Sequence, residues 1–192
     1  MNDNKFVAVI SHCFLNQNAK VSEFARFPGV VQSVHDILIE KYISIIQLPC
    51  PETTYLGVNR WWQSRELYDV PGYREFCHEL SAPIIAEIKI YLKRGYKVLL
   101  VALDGSPSCG VFLTGSNVSW GGRPVGGQDG GSTRISGRGV WMNILIDNLE
   151  KEQINTVDFT GLAMDDANFV FAIGMENFKK YILELGSVDK EK

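Results

Sequence analysis

Four short apolar runs, each separated from the next by a stretch of helical period, leave this chain few architectures. The runs are Lys5–Ser11 (KFVAVIS), Ile43–Leu48 (ISIIQL), Tyr96–Leu103 (YKVLLVAL) and Thr156–Met164 (TVDFTGLAM). Short apolar runs rich in β-branched residues suit strands of a buried parallel sheet. Over residues 30–42, Val30, Val34, Ile37 and Leu38 recur at helical spacing. Over 73–92, Phe76, Leu80, Ile84, Ile88 and Leu92 form one apolar stripe, and Pro83 inside it predicts a kink or a break at Ser81. Gly95 closes that helix. Val140, Trp141, Ile144, Leu145 and Leu149 mark a further helix, and residues 176–185 a last one. The alternation predicts an α/β fold, a mainly parallel sheet with helices on both faces in the Rossmann-like manner. No repeat or linker divides residues 1–186, which read as a single domain followed by a charged tail at 187–192. Residues 115–139 hold half of the 18 glycines and read as a flexible loop.

The formal net charge of −3 supplies no basic field for nucleic acid or an anionic membrane surface. No apolar stretch approaches the roughly 20 residues needed to span a bilayer. The opening MNDNKFVAVI lacks the basic region and cleavage site of a signal peptide, so a cytoplasmic location is expected. Four cysteines, with no CxxC pair among them, fit neither a disulfide scaffold nor a zinc ribbon.

Their positions are more informative than their number. Cys13 follows the first strand, Cys50 the second and Cys109 the third, and right-handed crossovers bring those strand ends to one edge of the sheet. Cys77 instead shares the apolar face of the 73–92 helix and reads as a packed core residue. Three soft thiolates without an evident fourth suit an iron–sulfur cluster or a zinc ion with one open position. Glu52 stands close enough to Cys50 to move protons, and Ser106 and Ser108 could donate hydrogen bonds to a bound molecule. The same residue set also suits a zinc-dependent hydrolase, or a non-catalytic sulfur carrier or redox sensor.

The segments ISHCFLN (Ile10–Asn16), CPE (Cys50–Glu52) and SPSCG (Ser106–Gly110) resemble, in order and spacing, the three signatures of the 2-thiouracil desulfidase family. That resemblance implies an oxygen-sensitive 4Fe-4S cluster held by Cys13, Cys50 and Cys109, one that protein prepared in air can lack. Its open iron would take the sulfur of a small thiolated substrate, and water would replace that sulfur without net redox change. Glu52 would handle protons, with Ser106 as the second catalytic residue and Ser108 its rival. The chain departs from the pattern at Phe14 and Asn16, and TTYLGVNRWW leaves Gly57 and Arg60 as loose equivalents of a glycine run and a Pro-Arg pair. His12, Asn16 and Arg60 are the expected substrate contacts, with the Trp61-Trp62 pair shaping the pocket or covering a core edge. The glycine-rich segment lacks the ending of a P-loop and reads as a flap, with Arg134 or Arg138 as anion contacts. Asp165 and Asp166 close the fourth strand.

Overall fold

The run FVAVI becomes β1 (Phe6–Ile10), buried along its whole length at the centre of a parallel sheet. The structure is a computed structural model that describes residues 5–119, 132–164, 175–180 and 182–183. In chain order β1 is followed by α1 (Gln32–Glu40), β2 (Ser44–Gln47), α2 (Pro51–Leu56), α3 (Arg65–Tyr68) and α4 (Pro71–Lys93). Then come β3 (Lys97–Asp104), β4 (Leu113–Ser116), β5 (Thr133–Ser136), α5 (Val140–Lys151) and β6 (Val157–Ala163). The sheet order is β2-β1-β3-β6, with β1 parallel to both neighbours and β6 parallel to β3.

Alternate residues of the sheet feed two cores. Val7, Val9, Val98 and Leu100 pack beneath α4 and α5, against Cys77, Ile84, Ile88, Trp141 and Leu145. Phe6, Ala8, Ile10, Leu99 and Val101 face α1 and helical residues 175–180 and 182–183, where Val34, Leu38, Phe178 and Ile182 meet them. Helices therefore cover both faces, the α/β arrangement that the apolar runs predict. Each fully buried side chain of this kind contributes about 1.5–3 kcal/mol over its exposed state. Among the described residues no helix is long and apolar enough to cross a membrane.

Three local expectations are corrected. The break foreseen at Ser81 is absent, because α4 runs unbroken through Pro83. The proline removes only the hydrogen bond to the Glu79 carbonyl, and both residues lie on the exposed side where water can replace it. The 115–139 segment is not a loop at its ends: Gly115 pairs with Arg134 and Ser116 with Thr133 in the antiparallel β4–β5 ladder. Glycine content masked the strand-forming run TRIS there. Residues 120–131, Asp165, Asp166 and the 187–192 tail lie outside the described residues. The helices α2 and α3 are additions that apolar periodicity could not reveal at their length.

Glu66 in α3 ties this short helix to the β4 end. The Ser116 hydroxyl donates to one carboxylate oxygen and the Asn117 N–H to the other at 2.9 Å. Partial burial pushes the acid up, but these donors outweigh it and hold the carboxyl at about 2 against an ordinary 4.5. A depressed folded pKa gives stability that is present above the unfolded value and lost as pH falls through the folded one. Wild-type protein should thus unfold at higher urea than Glu66→Gln at pH 7, with the gap closing as pH falls from about 4.5 towards 2. A constant gap across that range would contradict the assignment.

Candidate functional site

Parallel strands present their carboxyl ends on one edge, and the three cysteines meet there. Cys13 lies in a 3-10 turn, His12–Phe14, directly after β1. Cys50 is the N-cap of α2, its sulfur accepting from the Thr53 N–H at 3.5 Å, with Pro51 and Glu52 in the favoured first turn. Cys109 sits in the turn that follows β3. All three border one cavity of about 240 Å3, together with Glu52, Arg60, Trp62, Asp104, Ser106 and Met164. Cys77 does not border it and packs inside α4.

Burial pushes the Cys13 thiol up to about 12, and the nearby charges of Cys50 and Glu52 add to this against the pull of Lys20. Burial likewise raises Cys50, and it raises Cys109 well above its ordinary value. The charge of Cys50 adds to the rise at Cys13, and those of Cys50 and Cys13 to the rise at Cys109, so ionising all three together is disfavoured. Among the described residues, no three His, Cys, Asp or Glu side chains are gathered closely enough to hold one metal ion.

Backbone-directed bonds fix each arm of the tripod. The Leu48 carbonyl can only accept, so His12 Nδ1 carries the proton for their 3.2 Å bond and Nε2 is left to accept from Asn16 Nδ2, also at 3.2 Å. This links the Cys13 arm to the end of β2. The Thr53 hydroxyl donates to the Ala19 carbonyl at 2.8 Å, tying the Cys50 arm to the same region. In the third arm Ser106 Oγ accepts from the N–H groups of Ser108 (3.2 Å) and Cys109 (3.0 Å). The carbonyls of Pro107 and Ser108 then accept from Val140 and Met142, satisfying N–H groups at the start of α5. Gly139 lies so close to the Ser108 carbonyl that a Cβ there would overlap it.

Glu52 has one pinned oxygen and one open one. Its Oε2 accepts from Tyr68 Oη at 3.1 Å and from Arg60 Nε at 3.0 Å, and Arg60 Nη2 stands 3.0 Å away as an ion-pair partner. Its Oε1 has no hydrogen-bond partner among the described residues. Arg60 is buried, and it also donates to Thr53 Oγ1, the Gly57 carbonyl and the Ala19 carbonyl. Four of its five N–H donors are therefore directed at protein acceptors. Burial opposes its charge, but the Glu52 carboxylate outweighs that and holds the guanidinium protonated.

The structure thus sorts the expected residues. Cys13, Cys50, Cys109, Glu52, Ser106 and Arg60 border the cavity. His12 and Asn16 do not; they hold the arms together. Ser108 is fully buried and shares a 2.9 Å hydrogen bond with Tyr73 Oη in the core. Trp62 borders the cavity while Trp61 is exposed. Arg134 borders it too, whereas Arg138 lies near Asp147 at 4.0 Å. Sequence reading missed Asp104, Tyr68 and Thr53. Asp104 stands just beyond the third apolar run, and nothing in the sequence around Tyr68 relates it to Glu52, sixteen residues away.

Comparison with known proteins gives three likenesses. A sequence model of the family described as "Putative 2-thiouracil desulfurase" matches residues 11–120. An uncharacterized protein of Methanocaldococcus jannaschii is 42% identical over 108 residues, 56% of this chain and 69% of that protein. A solved structure of a 4Fe-4S-dependent thiouracil desulfidase aligns with TM-score 0.47 at 20% identity, over 90% of this chain and 99% of that one.

Proposed function

This chain belongs to the 2-thiouracil desulfurase family, and from that footing we propose that it is a 4Fe-4S-dependent desulfidase. It would remove sulfur from a thiolated nucleobase or a similar small thiocarbonyl compound. The observation that carries the reading is the convergence of Cys13, Cys50 and Cys109 from three strand ends onto one cavity. The donor set suits the cluster: three soft sulfurs, two buried and one half-buried, bordering one cavity of about 240 Å3. When bound, the cluster supplies a Lewis-acidic iron with affinity for a soft thiocarbonyl sulfur.

The reaction balances without a redox partner: thiocarbonyl and water give carbonyl and hydrogen sulfide, released as hydrosulfide and a proton. The protein's own groups divide the rest of the work. Glu52 Oε1 takes a proton from the attacking water, while Arg60 and Tyr68 hold Oε2 still. Ser106 Oγ already accepts two N–H bonds, so its own proton is free to be donated towards the substrate. Ser108 acts as a positioning residue, through Tyr73 and the turn. Trp62 and Met164 give the cavity apolar wall, which limits water. We place the enzyme in the cytoplasm as one domain over 1–186, acting on a small molecule rather than on nucleic acid or a membrane.

Protein purified and reconstituted without oxygen should hold about four iron and four sulfide per chain and convert 2-thiouracil to uracil and hydrosulfide. One zinc per chain with no visible chromophore would overturn the cluster reading. Cluster-loaded protein that releases no sulfide from any thiolated pyrimidine or nucleoside would make the chain a carrier or sensor instead.

A further inference from the structure

Glu52 is not alone as a carboxylate on the cavity. Asp104, the last residue of β3, borders the same space and is only 7% exposed. Its Oδ1 accepts from three successive backbone N–H groups, Val111 at 2.9 Å, Phe112 at 3.0 Å and Leu113 at 3.3 Å. Its Oδ2 has no hydrogen-bond partner among the described residues. Neither is that oxygen sealed in, since the sealed, unpartnered side-chain atoms are those of Ser11, Trp62, Arg65 and Trp141. Asp104 thus brings an unpartnered, unsealed carboxylate oxygen to a residue position on the cavity wall. The three N–H bonds hold Oδ1 in place, and the missing side chain at Gly161 leaves room for Oδ2, which a Cβ there would overlap.

We propose that Asp104 Oδ2 is the acceptor that reads an N–H beside the substrate's thiocarbonyl, making Asp104 a specificity-determining residue. The inference rests on the desulfidase reading and narrows its substrate class to thioamide-type compounds, in which N–H and C=S are adjacent. A nearly buried acceptor oxygen with nothing to accept from disfavours any ligand that covers it without donating. N-alkylated analogues are such ligands, and 2-thiouracil, with an N–H on each side of its thiocarbonyl, is not.

Asp104→Asn makes an unusually clean test. The three N–H groups require an acceptor, so the amide oxygen must take the place of Oδ1, which puts the NH2 where Oδ2 stood. The turn is kept and the cavity atom changes from acceptor to donor. Iron content, thermal midpoint, equilibrium dialysis with 2-thiouracil, KM and kcat are measured for wild type and D104N. N1-methyl- and N3-methyl-2-thiouracil are dialysed against both proteins. We expect D104N to keep its iron, bind 2-thiouracil about 10- to 100-fold more weakly, and raise KM with kcat within about threefold. One of the two methyl derivatives should bind wild type as weakly as the parent binds D104N.

Affinity of D104N within threefold of wild type overturns the inference. Full-strength binding of both methyl derivatives to wild type does so even if D104N fails to fold. Failure of the wild type to bind 2-thiouracil also overturns it. Binding with the predicted ratio but no hydrosulfide release supports Asp104 as the reader while removing the desulfidase reading.

Discussion

Alanine in place of Cys13, Cys50 or Cys109 should abolish iron binding and with it the visible iron–sulfur absorbance, whereas Cys77→Ala should retain both. The partition follows from position. The first three border the cavity from separate strand ends, while Cys77 is packed in the core beneath α4. A three-legged cluster that loses one leg has two protein ligands, too few to hold it against solvent or chelators. Cys77→Ala removes one buried sulfur and costs about 1 kcal/mol of stability, which chemical denaturation will register but iron analysis will not. Circular dichroism of each variant separates lost metal from lost fold. Equal iron loss from all four substitutions would refute the tripod.

Glu52→Gln should keep the cluster and lose about 10²- to 10⁴-fold in turnover. Gln can still accept from Tyr68 and Arg60 through its amide oxygen, but its NH2 then occupies the place of Oε1 and cannot take a proton. The substitution also leaves the buried Arg60 guanidinium without its counter-charge, so a lower urea midpoint is expected as well. Assays are therefore run well below the unfolding temperature, with iron content reported for each preparation. Turnover within threefold of wild type would remove Glu52 from the proton step.

How much of this was legible beforehand depends on the kind of contact. Strand ends were readable because a parallel sheet puts them on one edge whatever the side chains do, and Cys13, Cys50 and Cys109 follow from that rule. The choice between Ser106 and Ser108 was not readable. Both occupy one turn, and only the folded chain sends one hydroxyl to the cavity and the other to Tyr73. His12 and Asn16 sit beside a metal-ligand candidate in sequence, yet their side chains turn to the Leu48 carbonyl and to each other. Arg60 illustrates the same limit, since its donors find acceptors spread from Ala19 to Gly57. Long-range pairing of this sort leaves no local pattern. Asp104 combines both cases: its strand-end position was plain, and its grip on three amides was not.

The burial of the three thiols bears on what becomes of the protein after it is emptied. All four cysteines are free, and those on the cavity have their acidity suppressed by burial. Protonated thiols are poor nucleophiles and react slowly with peroxide and with disulfides. If the proposed cluster were lost, these thiols would resist oxidation and stay ready for iron and sulfide to return.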